Sequence, residues 1–162
     1  MTLYKFSPVP MQNDTANTIN MVRTFEIKDV KEYTGQRIER GFLWVFCHGV
    51  YDENDIFSIK ISDSEYMDSR EFADFFQCYD SYIIFDSCRS NKIDLNTLSE
   101  FKERGNIVFL SGYENELNTP EGSTLNYCLS QYSSKYYYFA LEDLREFFKE
   151  FNKKNNTTLV CF

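Results

Sequence analysis

The chain has 162 residues and carries 25 Asp and Glu against 17 Lys and Arg, a formal net charge of −8 at pH 7. That balance speaks against nucleic acid as a main partner, because phosphate binding draws on clustered basic side chains. A hydrophobic share of 43% and an aromatic share of 18% support a packed domain whose core leans on Phe and Tyr, and the length suits one domain, 1–162, that needs neither disulfides nor metals to hold its core.

In chain order, residues 3–6 read as a short edge strand broken by Pro8 and Pro10. Gln12 to Thr18 is polar and reads as a loop leading into a short helix, and Arg23 to Ile27 as a strand. Lys28 to Arg40 is charged, with apolar positions at Val30, Tyr33 and Ile38, and predicts a surface helix weakened by Gly35. Phe42-Leu-Trp-Val-Phe-Cys47 is a run without charge, as in a strand covered on both faces of a parallel sheet. It ends on His48, the only histidine, and Gly49. A polar turn at Tyr51 to Asp55 precedes Ile56 to Ile61, whose partial alternation suits a β-hairpin arm.

Asp68 and Glu71 stand at capping-box spacing ahead of Phe72, Phe75 and Phe76, which share a helical face. Tyr82-Ile-Ile-Phe85 is a second strand of the doubly buried kind and stops on Asp86-Ser-Cys88. A helix is predicted from about Asp94 to Arg104, closed by Gly105. Asn106 to Leu110 is a third buried strand, and Ser111 to Glu121 an exposed loop. Gly122 to Ser133 reads as a helix and Lys135 to Phe139 as a strand or extended connector. Leu141 to Phe151 carries Leu141, Leu144, Phe148 and Phe151 on one helical face, and Thr157 to Phe162 closes the chain as a strand. Strands alternating with helices predict a mostly parallel α/β sheet flanked by helices.

The two doubly apolar strands end on the parts of a Cys/His hydrolase. A thiol attacks a carbonyl only as a thiolate, so Cys88 needs a base or a low-pKa setting, and His48 supplies the base. If the two strands are neighbours in a parallel sheet, their carboxyl ends lie about 5 Å apart or a small multiple of it, where open α/β sheets place their ligands. No glycine-rich loop follows any strand, which disfavours a phosphate- or nucleotide-binding reading.

These segments carry a family resemblance. Ile84-Phe-Asp-Ser-Cys-Arg-Ser90 resembles the nucleophile motif of metacaspases, within the caspase-like (clan CD) cysteine peptidases, and Phe46-Cys-His-Gly49 resembles their histidine motif in the family order. Asn106 to Gly112 and Gly122 to Leu125 resemble the next family strand and the start of the following helix. The resemblance covers roughly residues 42 to 162; before that it implies a caspase-like domain with an abbreviated N-terminal part. It implies a cysteine endopeptidase with Cys88 as nucleophile, His48 as general base and acid, and the N–H groups of Gly49 and Cys88 as oxyanion donors. Asp86 would line a pocket for Arg or Lys on the acyl side of the cut; its other reading is a cap for the turn or the next helix.

The chain departs from the family pattern at several positions. Arg89 stands where the family has histidine, Asn91 where it has glycine, and Phe46 and Cys47 where it has small residues. Arg89 next to a thiolate stabilises it in one reading and pairs with Asp86, blocking the pocket, in another. A catalytically inactive caspase-like binding module, or a subunit of a larger assembly, is the alternative function. Asp52, Glu53 and Asp55 resemble the acidic loops through which some metacaspases bind calcium, a weak signal beside the expectation of no cofactor and no metal site.

The cysteines, Cys47, Cys78, Cys88, Cys128 and Cys161, are odd in number and contain no Cys-x-x-Cys pair. Reduced thiols in a cytoplasmic setting are expected, rather than a disulfide framework or a zinc ribbon. The first residues lack the apolar core of a signal peptide, and no run approaches the roughly 20 apolar residues of a membrane span. The expected partners are a protein or peptide substrate with a basic residue at the cut and an activator or regulatory protein, with no nucleic acid and no membrane.

Overall fold

A computed structural model of the chain describes residues 2–9, 23–51, 53–111, 124–136 and 138–162. Its centre is a six-stranded sheet built from β1 (Thr2–Phe6), β2 (Arg23–Ile27), β4 (Phe42–Phe46), β9 (Tyr82–Asp86), β10 (Ile107–Leu110) and β11 (Val160–Cys161). The strand order is β11-β10-β9-β4-β1-β2. Every pairing in it is parallel except that of β11 with β10. The chain is therefore an α/β protein with a mostly parallel sheet.

Two smaller sheets flank the central one. β3 (Arg37–Glu39) pairs in parallel with β8 (Gln77–Tyr79). β5 (Gly49–Tyr51), β6 (Phe57–Lys60) and β7 (Tyr66–Asp68) form an antiparallel meander that starts immediately after His48. The helices are α1 (Val30–Tyr33), α2 (Phe72–Phe75), α3 (Leu95–Glu103), α4 (Thr124–Lys135) and α5 (Leu141–Asn155).

Side chains alternate across the central strands and feed two cores. Phe6, Leu43, Val45, Ile83, Phe85 and Val108 pack with Tyr33, Phe72, Phe76, Leu98 and Phe101 from α1 to α3 and their flanks. Leu3, Phe42, Trp44, Ile84 and Phe109 pack with Leu125, Leu129 and Tyr132 of α4 and Leu144, Phe148 and Phe151 of α5. Both faces of β4 and β9 are covered, which is why these strands tolerate no charge before their last residue. Each fully buried Phe contributes about 1.5–3 kcal/mol by leaving water, so the aromatic side chains supply a large share of core stability beside the buried Leu, Ile and Val.

Several local expectations hold. Asp68 accepts from Arg70 N–H and Glu71 reaches back to the Asp68 N–H, closing the capping box. The element it starts is a 3₁₀ turn, Ser69–Glu71, running into the short α2. Gly105 ends α3 at φ +84°, and a Cβ there would collide with the Asp80 carboxylate, so the position excludes other residues on two counts.

Other expectations are revised. Residues 2–6 are an interior strand between β2 and β4; the edge is β2. The charged stretch 28–40 holds only the four-residue α1, because Asp29 caps Glu32 and no apolar face continues past Tyr33; Arg37–Glu39 then pairs with β8. Among the described residues no strand lies between 135 and 139, and the last strand is two residues long. The loop expected at 12–18 lies outside the described residues, as does 112–121 of the exposed loop expected at 111–121; its first residue, Ser111, is buried, because its hydroxyl bonds to the backbone of Ser87.

Candidate functional site

β4 and β9 are direct neighbours, paired from Phe42↔Tyr82 to Phe46↔Asp86. His48 and Cys88 therefore each stand two residues beyond the last rung, on adjacent parallel strands about 4.8 Å apart. Both are partly exposed, while Cys47 and Ser87, the residues immediately before them, are buried. The two strands that lead to them are thus direct neighbours, and both residues lie at the same, carboxyl edge of the sheet.

The backbone of the site is tightly packed. A Cβ built on Gly49 would run into the Cys88 carbonyl oxygen and lie 2.6 Å from Cε2 of Phe57. Glycine is thus required here by close approach of two chains. The Gly49 N–H has a further property. Lys60 N–H donates to the His48 carbonyl at 2.9 Å, which makes Gly49↔Ile59 a pair of the non-hydrogen-bonded type. The Gly49 N–H consequently points away from β6 instead of into the meander.

Cys88 lies in a four-residue turn closed by Ser90 N–H to the Ser87 carbonyl at 3.3 Å. Arg89, the third residue of that turn, has φ 65° and ψ 17°, the left-handed conformation that a type II turn requires at this place and that glycine or asparagine usually supplies. Its guanidinium lies 4.8 Å from the centroid of the Tyr51 ring. Farther along, Lys92 Nζ approaches Asp55 Oδ2 at 3.8 Å; both groups are exposed, and such a pair contributes at most about 1 kcal/mol. The Cys88 turn and the residues just after it are thus tied to the β5–β6 hairpin at Gly49, Tyr51 and Asp55.

Buried hydroxyls support the turn from the next strand. Ser111, just past β10, donates to the Ser87 carbonyl at 2.5 Å and accepts from the Ser87 N–H at 3.3 Å. Its oxygen also lies 2.8 Å from the Ser90 hydroxyl. Sequence reasoning missed Ser111, since a serine after a strand is ordinary; only the pairing of β10 with β9 reveals its role.

Asp86 is 2% exposed, and its Oδ2 accepts from the indole Nε1–H of Trp44 at 3.0 Å. The face of the same indole lies 4.8 Å from the ammonium of Lys5, itself 4% exposed. Lys5 also approaches the Phe46 ring at 5.5 Å and Glu26 Oε1 at 3.9 Å. A buried carboxylate and a buried ammonium thus meet one tryptophan on the α4/α5 side of the sheet. Neither Lys5 nor Trp44 was marked from sequence as part of the site.

The other thiols are set apart by burial. Cys47, next to His48, is 1% exposed and its thiol is pushed well up by burial and, secondarily, by the charge of Asp86. Burial likewise pushes the Cys78 and Cys161 thiols up to about 12, and raises Cys128 further. Of the acidic turn, Glu53 and Asp55 are exposed and Asp52 is outside the described residues. Among the described residues no group of three or more His, Cys, Asp or Glu side chains is arranged to hold a metal ion, and no helix is long and apolar enough to cross a membrane.

Compared with known proteins, the chain matches no family model and no curated protein.

Proposed function

We propose that this protein is a caspase-like cysteine endopeptidase of the metacaspase type, using Cys88 and His48 as a dyad and cleaving after Arg or Lys. The observation that supports the reading most is the register Phe46↔Asp86, which makes direct neighbours of the two strands that end two residues before His48 and Cys88. The orientation of the Gly49 N–H away from β6 and the contact of Gly49 with Cys88 add to it.

In the proposed reaction His48 takes the Cys88 proton, and the thiolate attacks the scissile carbonyl carbon to form an S–C bond. The developing oxyanion is met by the N–H groups of Gly49 and Cys88, an arrangement in which loss of one donor typically costs about 100- to 1,000-fold. The C–N bond then breaks as His48 protonates the leaving amine. Water, deprotonated by His48, attacks the thioester, the S–C bond breaks, and Cys88 is restored. Asp86, two residues before the nucleophile, supplies the negative charge that selects a basic side chain.

The test is hydrolysis of matched fluorogenic peptides ending in Arg, Lys or Asp by wild type and Cys88→Ala, with and without millimolar calcium. Cleavage after Arg or Lys that disappears in Cys88→Ala supports the whole reading. Cleavage after Asp keeps the enzyme and removes Asp86 as selector. No cleavage under any condition refutes the peptidase and favours a non-catalytic module that binds a partner peptide.

A further inference from the structure

The Cys88 turn leaves the sheet abruptly, and its departure has a specific cause. The parallel ladder between β9 and β10 runs through Phe85↔Leu110, and Ser111 N–H still donates to the Phe85 carbonyl at 3.2 Å. At the next rung the backbone pairing stops. The Ser87 N–H turns instead to the Ser111 hydroxyl, and the Ser87 carbonyl accepts from that same hydroxyl.

A hydroxyl has one proton to donate and two lone pairs to accept. Ser111 spends its proton on the Ser87 carbonyl, so the 2.8 Å contact with Ser90 is a bond in which Ser90 donates. The hydroxyl is then saturated: one donated bond and two accepted ones, all to the two residues that bracket Cys88 and Arg89. Ser90 and Ser111 are both 0% exposed, so water does not replace any of these partners. Arg89 in the left-handed region costs about 1–2 kcal/mol, and a turn under such a cost stays in place only when its surroundings hold it. The three bonds of Ser111 hold both feet of that turn.

We propose that Ser111 is the positioning residue of the nucleophile: by replacing one rung of the sheet with its hydroxyl, it sets where Cys88 leaves the strand and how its thiol and N–H face His48 and Gly49. This inference rests on the peptidase reading for its catalytic consequence and on the hydrogen bonds alone for its structural one. Ser90, through the proton it donates to Ser111, is the second member of the device.

The experiment compares wild type with Ser111→Ala, Ser111→Thr and Ser90→Ala, first for folding by near-ultraviolet circular dichroism. Two readouts follow: kcat and KM on the best peptide, and the rate of Cys88 alkylation by iodoacetamide as a function of pH, read by peptide mass mapping. Ser111→Ala is expected to lower kcat about 100-fold, the scale of a misplacement near 1 Å, with KM changed less than about threefold. Ser111→Thr, which keeps the hydroxyl, restores kcat to within about tenfold of wild type, and Ser90→Ala loses about tenfold. In Ser111→Ala the alkylation profile departs from that of wild type, while Ser111→Thr keeps the wild-type profile.

The inference is overturned if Ser111→Ala retains the wild-type kcat and alkylation profile, or if Ser111→Thr is as impaired as Ser111→Ala. Should wild type hydrolyse no peptide, the peptidase reading fails and the alkylation profiles decide alone: a shift in Ser111→Ala with rescue by Thr upholds the positioning role, and superimposable profiles end it. Should Ser111→Ala not fold, Ser90→Ala decides, because it leaves the Ser111–Ser87 bonds in place; wild-type values in both readouts would overturn the proposal.

Discussion

The carbonyl oxygen of Cys88 lies against the Cα of Gly49, in the space a side chain would occupy, with the Phe57 ring closing the other side. The ends of two strands are thereby locked at a point where neither has a side chain to give way. Gly49→Ala is expected to destabilise the fold by about 1–3 kcal/mol, the range of core overpacking, and to reduce Cys88 alkylation and peptide hydrolysis together. Urea unfolding and the two rate assays check it; wild-type stability would mean the backbones part without cost.

Trp44 and Asp86 form a pair with separable contributions. Trp44→Phe keeps a ring against Lys5 but removes the Nε1–H that Asp86 accepts, and leaving a buried acceptor short of a donor costs about 1–3 kcal/mol. Asp86→Asn keeps an oxygen for the indole and removes the charge. Its predicted mark is on specificity: the preference for a peptide ending in Arg over one ending in the neutral isostere citrulline should fall by about 100-fold, within the 2–5 kcal/mol of a lost buried charge partner. An unchanged ratio would assign Asp86 to structure only.

The thiols divide by accessibility. At pH 8, iodoacetamide should modify Cys88, which is partly exposed, while Cys47, Cys78, Cys128 and Cys161 remain protected in the folded protein. Mass mapping after a brief exposure checks this, and early modification of any buried thiol would contradict the packing.

Alkaline stability follows from the same burial. Cys78 and Cys161 rise from an ordinary 9.0 to about 12 because the buried site penalises the thiolate. The unfolded chain therefore loses these protons first as pH increases. Their contribution is intact below pH 9 and declines between 9 and about 12, at up to about 1.4 kcal/mol per pH unit for each thiol. Urea midpoints at pH 9, 10 and 11 should fall in that order, and Cys78→Ala should flatten the slope.

Arg89 offers a test of turn strain. Arg89→Ala loses the stacking on Tyr51, worth about 0.5–1 kcal/mol at a partly exposed site, and still bears the left-handed conformation. Arg89→Gly loses the same stacking but relieves the conformation, so it should be about 1 kcal/mol more stable than Arg89→Ala. Equal urea midpoints for the two variants would show that the turn relaxes without glycine.

Much of this architecture is legible along the chain. The uncharged runs at 42–47 and 82–85 announce strands covered on both faces, the Asp68–Glu71 spacing announces its capping box, and Leu144, Phe148 and Phe151 announce the buried face of α5. His48 and Cys88 stand out because each ends such a run, so the candidate pair is readable from composition and position alone. These are local signals, set by the two-residue repeat of a strand, the 3.6-residue repeat of a helix and the donors left over at a helix start. By contrast, the stretch 28–40 misleads, because its charge pattern is compatible with a helix that only packing could extend, and the packing partner of Arg37–Glu39 is the distant strand 77–79.

Only the tertiary structure decides that β4 and β9 are neighbours in the register Phe46↔Asp86, that the Gly49 N–H turns away from β6, that Trp44 holds Asp86 and that Ser111 ends the ladder beside Cys88. Each of these is a pairing between groups far apart in sequence. Their geometry depends on which strands adjoin and in what register, and that is settled by burying two opposite apolar faces at once, a condition that no single stretch of the chain contains.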